Sequence, residues 1–248
     1  MDKMKKVLDK GYVRLVNHLG SDLTVVNAAR VSYQKESFEL DQNDEKLISF
    51  LAKHDHTSPF RHAMLQFEVY APLMVARQWW KYIVGSSHME GIGDTMNGWN
   101  ESSRRYVTEE PVFYVPNENE WRSMPDNKKQ GSGEPVATEL GKEYTKDLLE
   151  LIEKGQGLYE KAMEDGICSE QARLFLPAYG LYVRWYWTAS LQSVAHFIKQ
   201  RMDGHAQKEI RDYAKVVYDL SLEDFPVAMK ALIAVSYTHL TLPTICSV

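Results

Sequence analysis

The chain has 248 residues, of which 44% are hydrophobic and 25% are charged. This is the composition of a globular protein with a sizeable core, and it excludes a disordered or collagen-like chain. The formal charge of −5 argues against a broad basic surface for duplex nucleic acid. Two distant cysteines, Cys168 and Cys246, indicate a reducing compartment, and no apolar run reaches the ~20 residues that span a bilayer. We therefore expect a cytoplasmic protein that binds neither membranes nor nucleic acid.

The first half of the chain is predicted to combine strands and helices. Alternation of apolar and polar residues predicts strands over Gly11–Leu19 and Leu65–Val69. Apolar residues at helical spacing predict three helices, and proline at the start of the third suits a first helical turn. These helices run from the Gly20–Asp22 turn through Ala29, over Asp44–Lys53, and over Leu73–Tyr82 after Pro72. Two segments without periodicity, Ser86–Gly98 and Asn117–Pro135, are predicted loops.

The second half is predicted to be mostly helical. The helices are Thr138–Met163, Ser169–Leu176, Leu191–Met202 and Ala206–Leu220. One aromatic-rich alternating segment, Leu181–Trp187, predicts a strand. Since there is no internal repeat and no strong linker, we expect a single α+β domain over residues 1–235, with a small mixed sheet and a helical second half.

The segment Ser236–Val248 interrupts the helical pattern before it and resembles translated sequencing-adapter sequence. We therefore predict a non-native tail and exclude it from the fold. The alternative is a natural tail with a strand-like segment. If the tail is an artefact, Cys168 is the only authentic cysteine.

Four arginines, Arg104, Arg105, Arg173 and Arg201, are candidates for binding an anion on an otherwise acidic protein. Guanidinium groups bind phosphate through two parallel charged hydrogen bonds, so a cluster of them would suit a small phosphorylated ligand. Four separate solvated surface arginines are the alternative interpretation.

Other reactive side chains carry weaker indications. His54, His56 and His62 could ligate a metal, but no third-ligand motif follows, and ordinary polar or pocket-lining histidines are the alternative. Cys168 precedes a predicted helix, where a thiol pKa falls, yet no histidine accompanies it in sequence, so a structural cysteine is favoured. The tryptophan-rich pairs Trp79-Trp80 and Trp185–Trp187 fit a core, or a shelf for a flat ring system.

Six ordered blocks together resemble the flavin-dependent thymidylate synthases, over roughly Val7 to Ile233. The blocks are Ala28–Ser32, His56–His62, Ala76–Trp80, Asn100–Tyr106, Ala172–Pro177 and Arg201–Gln207. The resemblance implies reductive methylation of dUMP to dTMP, with methylenetetrahydrofolate as the carbon donor, NADPH as the hydride source and FAD as the carrier. It also implies a homotetramer whose active sites are built from several subunits.

The resemblance further implies which residues form the site. Residues at the dUMP site would be Gln78, Glu101, Ser102, Ser103, Arg104, Arg105, Arg173 and Arg201, with Arg201 contacting the uracil ring as the catalytic residue. Residues at or near FAD would be Ser32, Ser58, Lys81, Tyr82, Ile83, Glu101, Ser190, His196, His205 and Glu209. No metal is implied.

The chain departs from the family pattern on the flavin and folate side. The family's Arg-His-Arg stretch falls on Lys81, Tyr82 and Ile83, the spacer that follows is expanded by Ser86–Gly98, and a family asparagine falls on His196. The expanded loop either replaces the missing polar contacts or is a surface insertion. Two other functions stay open: a non-catalytic nucleotide- or flavin-binding relative, and a pyrimidine methylase that depends on Cys168.

Overall fold

The computed structural model of the protein describes residues 3–80, 98–103, 110–125 and 131–234. The strands are β1 (Met4–Val7), β2 (Gly11–Leu19), β3 (Met64–Pro72), β4 (Gly98–Glu101) and β5 (Tyr182–Ser190). The helices are α1 (Asp22–Arg30), α2 (Gln42–Lys53), α3 (Leu73–Trp80), α4 (Thr138–Glu164), α5 (Ser169–Ala172), α6 (Leu191–Arg201), α7 (Lys208–Asp224) and α8 (Pro226–Ala234). The predicted α+β architecture with a helical second half is confirmed.

The five strands form one sheet in the order β1-β2-β3-β5-β4. Every pairing between the described strands is antiparallel, so the expected mixed sheet is wrong in this respect. The reason lies in the connections. After β2 the chain returns to the sheet at the end where it left, because Leu19 pairs with Met64, and Pro72 likewise pairs with Tyr182.

The inner face of the sheet carries the main core. Alternate residues of β3 and β5, among them Phe67, Trp185 and Trp187, are fully or almost fully buried beneath α3, α6 and α7. The opposite face is polar. There the buried Glu68 accepts hydrogen bonds from Tyr12 (2.8 Å) and from Arg14. The alternation of apolar and polar residues along the strands therefore places one set of side chains in the core and the other on the polar face.

A second, smaller apolar cluster joins α4 to the segments that precede and follow it. Phe113, Ile152, Leu176 and Leu181 form its buried part. Gly155, in the middle of α4, is required here, because a Cβ atom would lie 2.7 Å from the carbonyl oxygen of Phe175. The glycine that weakens the helical pattern in the sequence thus permits a close approach between two elements.

Most predicted elements are confirmed to within a few residues, while three were missed. The strands β1 and β4 have four residues each, too few for alternation to be distinctive, and α8 was not predicted. Gly98, placed in a loop, begins β4, and the rest of Ser86–Gly98 lies outside the described residues. The tail Ser236–Val248 also lies outside them, so its origin stays a prediction.

The start of α8 is held by a distant carboxylate. Asp22, at the first position of α1, is buried and accepts hydrogen bonds from the backbone N–H groups of Val227 (2.8 Å) and Ala228 (2.9 Å). Burial raises the pKa of Asp22, and these two hydrogen bonds partly offset that increase. Asp22 therefore caps a helix more than 200 residues away in sequence.

Replacing Asp22 should destabilise the fold. Asp22→Ala leaves two buried N–H groups without acceptors, and we expect the free energy of unfolding to fall by about 1–3 kcal/mol. Asp22→Asn, which keeps one oxygen, should lose less. Urea unfolding measures both, with the exposed Asp147→Ala on α4 as the matched control. Equal stability of Asp22→Ala and the control would contradict the capping role.

Candidate active site

A cavity of about 660 Å³ lies where α3 meets β4. Its described lining consists of Leu73, Met74, Ala76, Arg77, Gln78, Trp80, Trp99, Glu101, Tyr179 and Gln207. Two tryptophans form an aromatic wall: Trp80 meets Trp99 edge to face at 5.1 Å between ring centroids, and Trp99 stacks on the buried Trp185 at 4.9 Å. Flat apolar rings beside polar side chains suit a planar heterocycle.

Gln78 and Arg201, two residues predicted at the substrate site, are brought together. Gln78 lies on α3 beside the fully buried Trp79, so one helix surface enters the core while the next residue lines the cavity. Arg201 ends α6, and its Nη2 atom donates to the backbone carbonyl oxygen of Gln78 at 3.2 Å. The guanidinium group is thereby held next to the cavity.

Glu101 supplies a carboxyl group to the same cavity. Burial of this carboxyl group raises its pKa, and a hydrogen bond from the Trp99 side chain partly counteracts the increase. The next residue, Ser102, continues the hydrogen bonding of β4 to β5. Its backbone N–H donates to the backbone carbonyl oxygen of Arg184 (2.8 Å), and its hydroxyl accepts from the backbone N–H of Arg184 (3.2 Å). Ser103 follows and is half-buried.

A polar chain borders the cavity on the side of α7. Gln207 hydrogen-bonds with Gln78 and donates to the carboxylate of Glu209 at 2.8 Å. The buried Glu209 also forms an ion pair with Arg122 at 2.6 Å. Burial alone would raise the pKa of Glu209, but the hydrogen bonds from Arg122 and Gln207 outweigh it and lower that pKa below its ordinary value. Glu209 is therefore ionised near neutral pH.

The other predicted arginines are not brought to this cavity within the part of the chain that is described. Arg173 lies in an exposed 3-10 turn, where its Nε atom donates to the carbonyl oxygen of Glu170 at 3.2 Å. Arg104 and Arg105 lie outside the described residues, as do Lys81, Tyr82 and Ile83. Their predicted contacts stay predictions.

The remaining residues predicted near FAD do not line the cavity either. Ser32, Ser58 and His205 are exposed. His196 is half-buried on α6, and burial, together with the positive charge of Lys199, lowers its pKa. Ser190 is buried as the N-cap of α6, where its hydroxyl accepts from the N–H of Ser193 at 3.2 Å.

The histidines considered as metal ligands have other contacts. The rings of His54 and His56 pack against Phe50, with centroids 4.4 and 5.9 Å from it. The described residues contain no group of three or more His, Cys, Asp or Glu side chains that could hold a metal ion. Cys168 is a free, exposed thiol at the start of α5, and its Sγ atom lies 3.8 Å from Gln171 Oε1.

Sequence reasoning missed several lining residues, chiefly Trp99, Gln207 and Tyr179. Of the tryptophan pair on α3, Trp79 belongs to the core and Trp80 lines the cavity. Helical rotation between neighbours was the available signal for that difference. Gln207 had no such signal, because its partner Gln78 is 129 residues away.

Comparison with known proteins identifies the family. The family model described as thymidylate synthase complementing protein, Thy1, matches residues 14–227. Proteins named flavin-dependent thymidylate synthase are similar: that of Wolbachia pipientis is 38% identical over 92% of this chain and 75% of its own. That of Thermosipho africanus is 36% identical over 94% of this chain and 95% of its own.

Solved structures agree with the fold. A UMP/dUMP methylase, PolB from Streptomyces cacaoi, bound with 5-Br UMP or 5-Br dUMP, superposes with a TM-score of 0.77 in both complexes. The identity is 26% and 27%, over 93% of this chain and 97% of that one. This chain thus shares the α+β fold of that methylase. The chain belongs to the Thy1 family of thymidylate synthase complementing proteins. Among its described helices, none combines the length and the apolarity that crossing a membrane requires.

Proposed function

We propose that this protein is a flavin-dependent thymidylate synthase that converts dUMP to dTMP. The observation that carries the proposal is that Gln78 and Glu101, from two distant segments, line one cavity, while Arg201, from a third, donates to the backbone carbonyl oxygen of Gln78. The resemblance to the flavin-dependent thymidylate synthases implies that these three positions bind dUMP. The aromatic wall of Trp80 and Trp99 offers a surface for the pyrimidine ring.

The chemistry suits these residues. Transfer of a methylene group to uracil and its reduction to methyl by a hydride place negative charge on the ring, and a fixed arginine near a ring oxygen stabilises that charge electrostatically. We assign this role to Arg201, whose position is fixed by the Gln78 carbonyl.

FAD is the cofactor of this proposal, with NADPH and methylenetetrahydrofolate as co-substrates. When bound, FAD would carry the hydride, so the chain itself needs no redox-active group. The donor chemistry of Ser32, Ser58, His196 and His205 fits such a group, because hydroxyl and imidazole groups hydrogen-bond phosphates and ring nitrogens. Ser190 and Glu209 are buried and hydrogen-bonded within the chain, which gives less support to direct contact with FAD.

A homotetramer in the cytoplasm completes the proposal. Val31 and Tyr33, which flank Ser32 in sequence, are 72% and 76% exposed, and Phe38, six residues after Ser32, is 83% exposed. Exposed apolar residues grouped in this way are typical of an interface. Arg173, which does not line the cavity of its own chain, would then be available to the cavity of a neighbouring subunit.

The purified protein should be yellow, and NADPH should bleach its flavin absorbance under anaerobic conditions. Addition of dUMP and methylenetetrahydrofolate should then yield dTMP, measured by chromatography, with a reaction lacking dUMP as the control. Protein that stays colourless after incubation with FAD would contradict the proposal. Binding of dUMP without NADPH oxidation would instead indicate the non-catalytic relative.

Binding of the dUMP phosphate should depend on Arg105 and Arg173. Arg105→Ala and Arg173→Ala each remove a charged hydrogen-bond pair, so we expect the Kd for dUMP to rise about ten- to hundred-fold with little change for FAD. Separate titrations of the two ligands measure this, and the exposed Lys146→Ala removes the same charge as a control. Equal losses for both ligands would place the arginines elsewhere.

Replacement of Cys168 should leave dTMP formation almost unchanged. The thiol is exposed and is not among the described residues that line the cavity. Cys168→Ala is therefore expected to retain most of the parental kcat, measured on folded, flavin-loaded protein. Complete loss of activity in such a preparation would favour the cysteine-dependent methylase.

A further inference from the structure

Arg122 lies between α4 and β4 in sequence and has no assigned role, yet its guanidinium group is anchored on three sides. Its Nε atom donates to the Ser132 hydroxyl (2.8 Å) and its Nη1 atom to the Glu120 carbonyl (3.2 Å). Its Nη2 atom donates to Glu209 Oε1 (2.6 Å). With 20% of its side chain exposed, Arg122 forms a preorganised, donor-only end to the polar chain.

From Glu209, a series of side-chain hydrogen bonds leads through Gln207 to Gln78 at the proposed nucleotide cavity, and each bond has the same donor-to-acceptor direction. Gln207 donates from Nε2 to Glu209 Oε2 at 2.8 Å, and the same nitrogen lies 3.5 Å from the thioether sulfur of Met74. Both neighbours of this nitrogen are acceptors. The Oε1 atom of Gln207 in turn accepts a hydrogen bond from Nε2 of Gln78, which lines the cavity.

The direction of these bonds is dictated by charge. Arginine can only donate, and an ionised carboxylate can only accept. Glu209 therefore requires the amide nitrogen of Gln207, which leaves the Gln207 oxygen to receive the amide nitrogen of Gln78. The side-chain amide oxygen of Gln78, Oε1, is then the atom left for a ligand. The low pKa of Glu209 supports this arrangement, since a protonated Glu209 could reverse it.

We propose that Arg122 and Glu209 are positioning residues of the nucleotide site: through Gln207 they orient the side chain of Gln78 so that its amide oxygen, Oε1, accepts from a donor of the nucleotide. In dUMP the donors are the uracil N3–H and the sugar hydroxyl. The inference rests on the proposed function. It assigns Glu209 an indirect role in nucleotide binding in place of direct contact with FAD.

The variant Glu209→Gln tests the direction of the chain. Because Arg122 still requires an oxygen, the new amide would present its nitrogen to Gln207. Each amide after it would turn over, and Gln78 would offer N–H groups to the nucleotide. We expect the Kd for dUMP to rise about tenfold, the worth of one hydrogen bond. Flavin content and oligomeric state should stay close to those of the parent, while loss of the buried ion pair should lower the Tm.

The double variant Gln207→Glu with Glu209→Gln restores the original direction. The glutamine at 209 accepts from Arg122 and donates to the new carboxylate at 207, which again accepts from Gln78. We expect the Kd for dUMP to return to within about threefold of the parent, a recovery that a purely structural ion pair would not show. Asp212→Asn, which neutralises the carboxylate paired with Lys208 (2.7 Å) on the same helix, is the matched control and should bind dUMP normally.

Isothermal titration of dUMP into flavin-loaded protein distinguishes the outcomes. Unchanged affinity in Glu209→Gln, or equal weakening in the single and double variants, would overturn the inference alone. Loss of flavin with unchanged dUMP affinity would place Glu209 at FAD and also overturn it. If Glu209→Gln does not fold, the variant Gln207→Leu interrupts the series of hydrogen bonds while keeping the ion pair between Arg122 and Glu209. Unchanged affinity of that variant for dUMP would also overturn the inference. A parent protein that binds flavin but not dUMP would overturn the proposed function itself.

Discussion

The site depends on the packing of Trp79. This fully buried ring stacks on Phe197 of α6 at 4.2 Å between centroids, and it meets both Trp185 and Trp187 of β5 edge to face at 5.4 Å. Such aromatic contacts hold α3 against both the sheet and α6. The neighbouring Gln78 is thereby brought to the end of α6, so that Arg201 reaches its carbonyl oxygen. A smaller residue in place of Trp79 would leave a large cavity and release α3 from both partners.

The region around α4 has an apolar cluster of its own and lines a second cavity, of about 350 Å³. This second cavity shares Met74 and Gln207 with the candidate active-site cavity and is also lined by Arg122 and Glu209. Packing of this region therefore sets the position of Arg122. A segment that contributes few residues to the site can in this way control the polarity of the hydrogen bonds inside it.

Groups proposed for the nucleotide and for the flavin differ in their surroundings. Gln78 and Glu101 line one cavity within a single chain, and Arg201 donates to the backbone carbonyl of Gln78. Ser32, Ser58 and His205 are exposed, and Ser32 lies beside exposed apolar residues. In the proposed tetramer, binding of flavin would therefore depend on assembly, whereas much of the pyrimidine site would already exist in the single chain.

Sequence alone determined the features that depend on local periodicity or on ordered motifs. Alternation located β2, most of β3 and most of β5, helical spacing located α2, α4, α6 and α7, and the six blocks identified the family before any contact was known. Tertiary structure alone decided the pairings between distant residues. Arg122 meets Glu209 across 87 residues, and Gln78 meets Gln207 across 129. The short strands β1 and β4 and the antiparallel pairing also emerged only in three dimensions. The physical reason is that periodicity records which side of an element is buried, whereas the partner it is buried against is chosen by the packing of the whole chain.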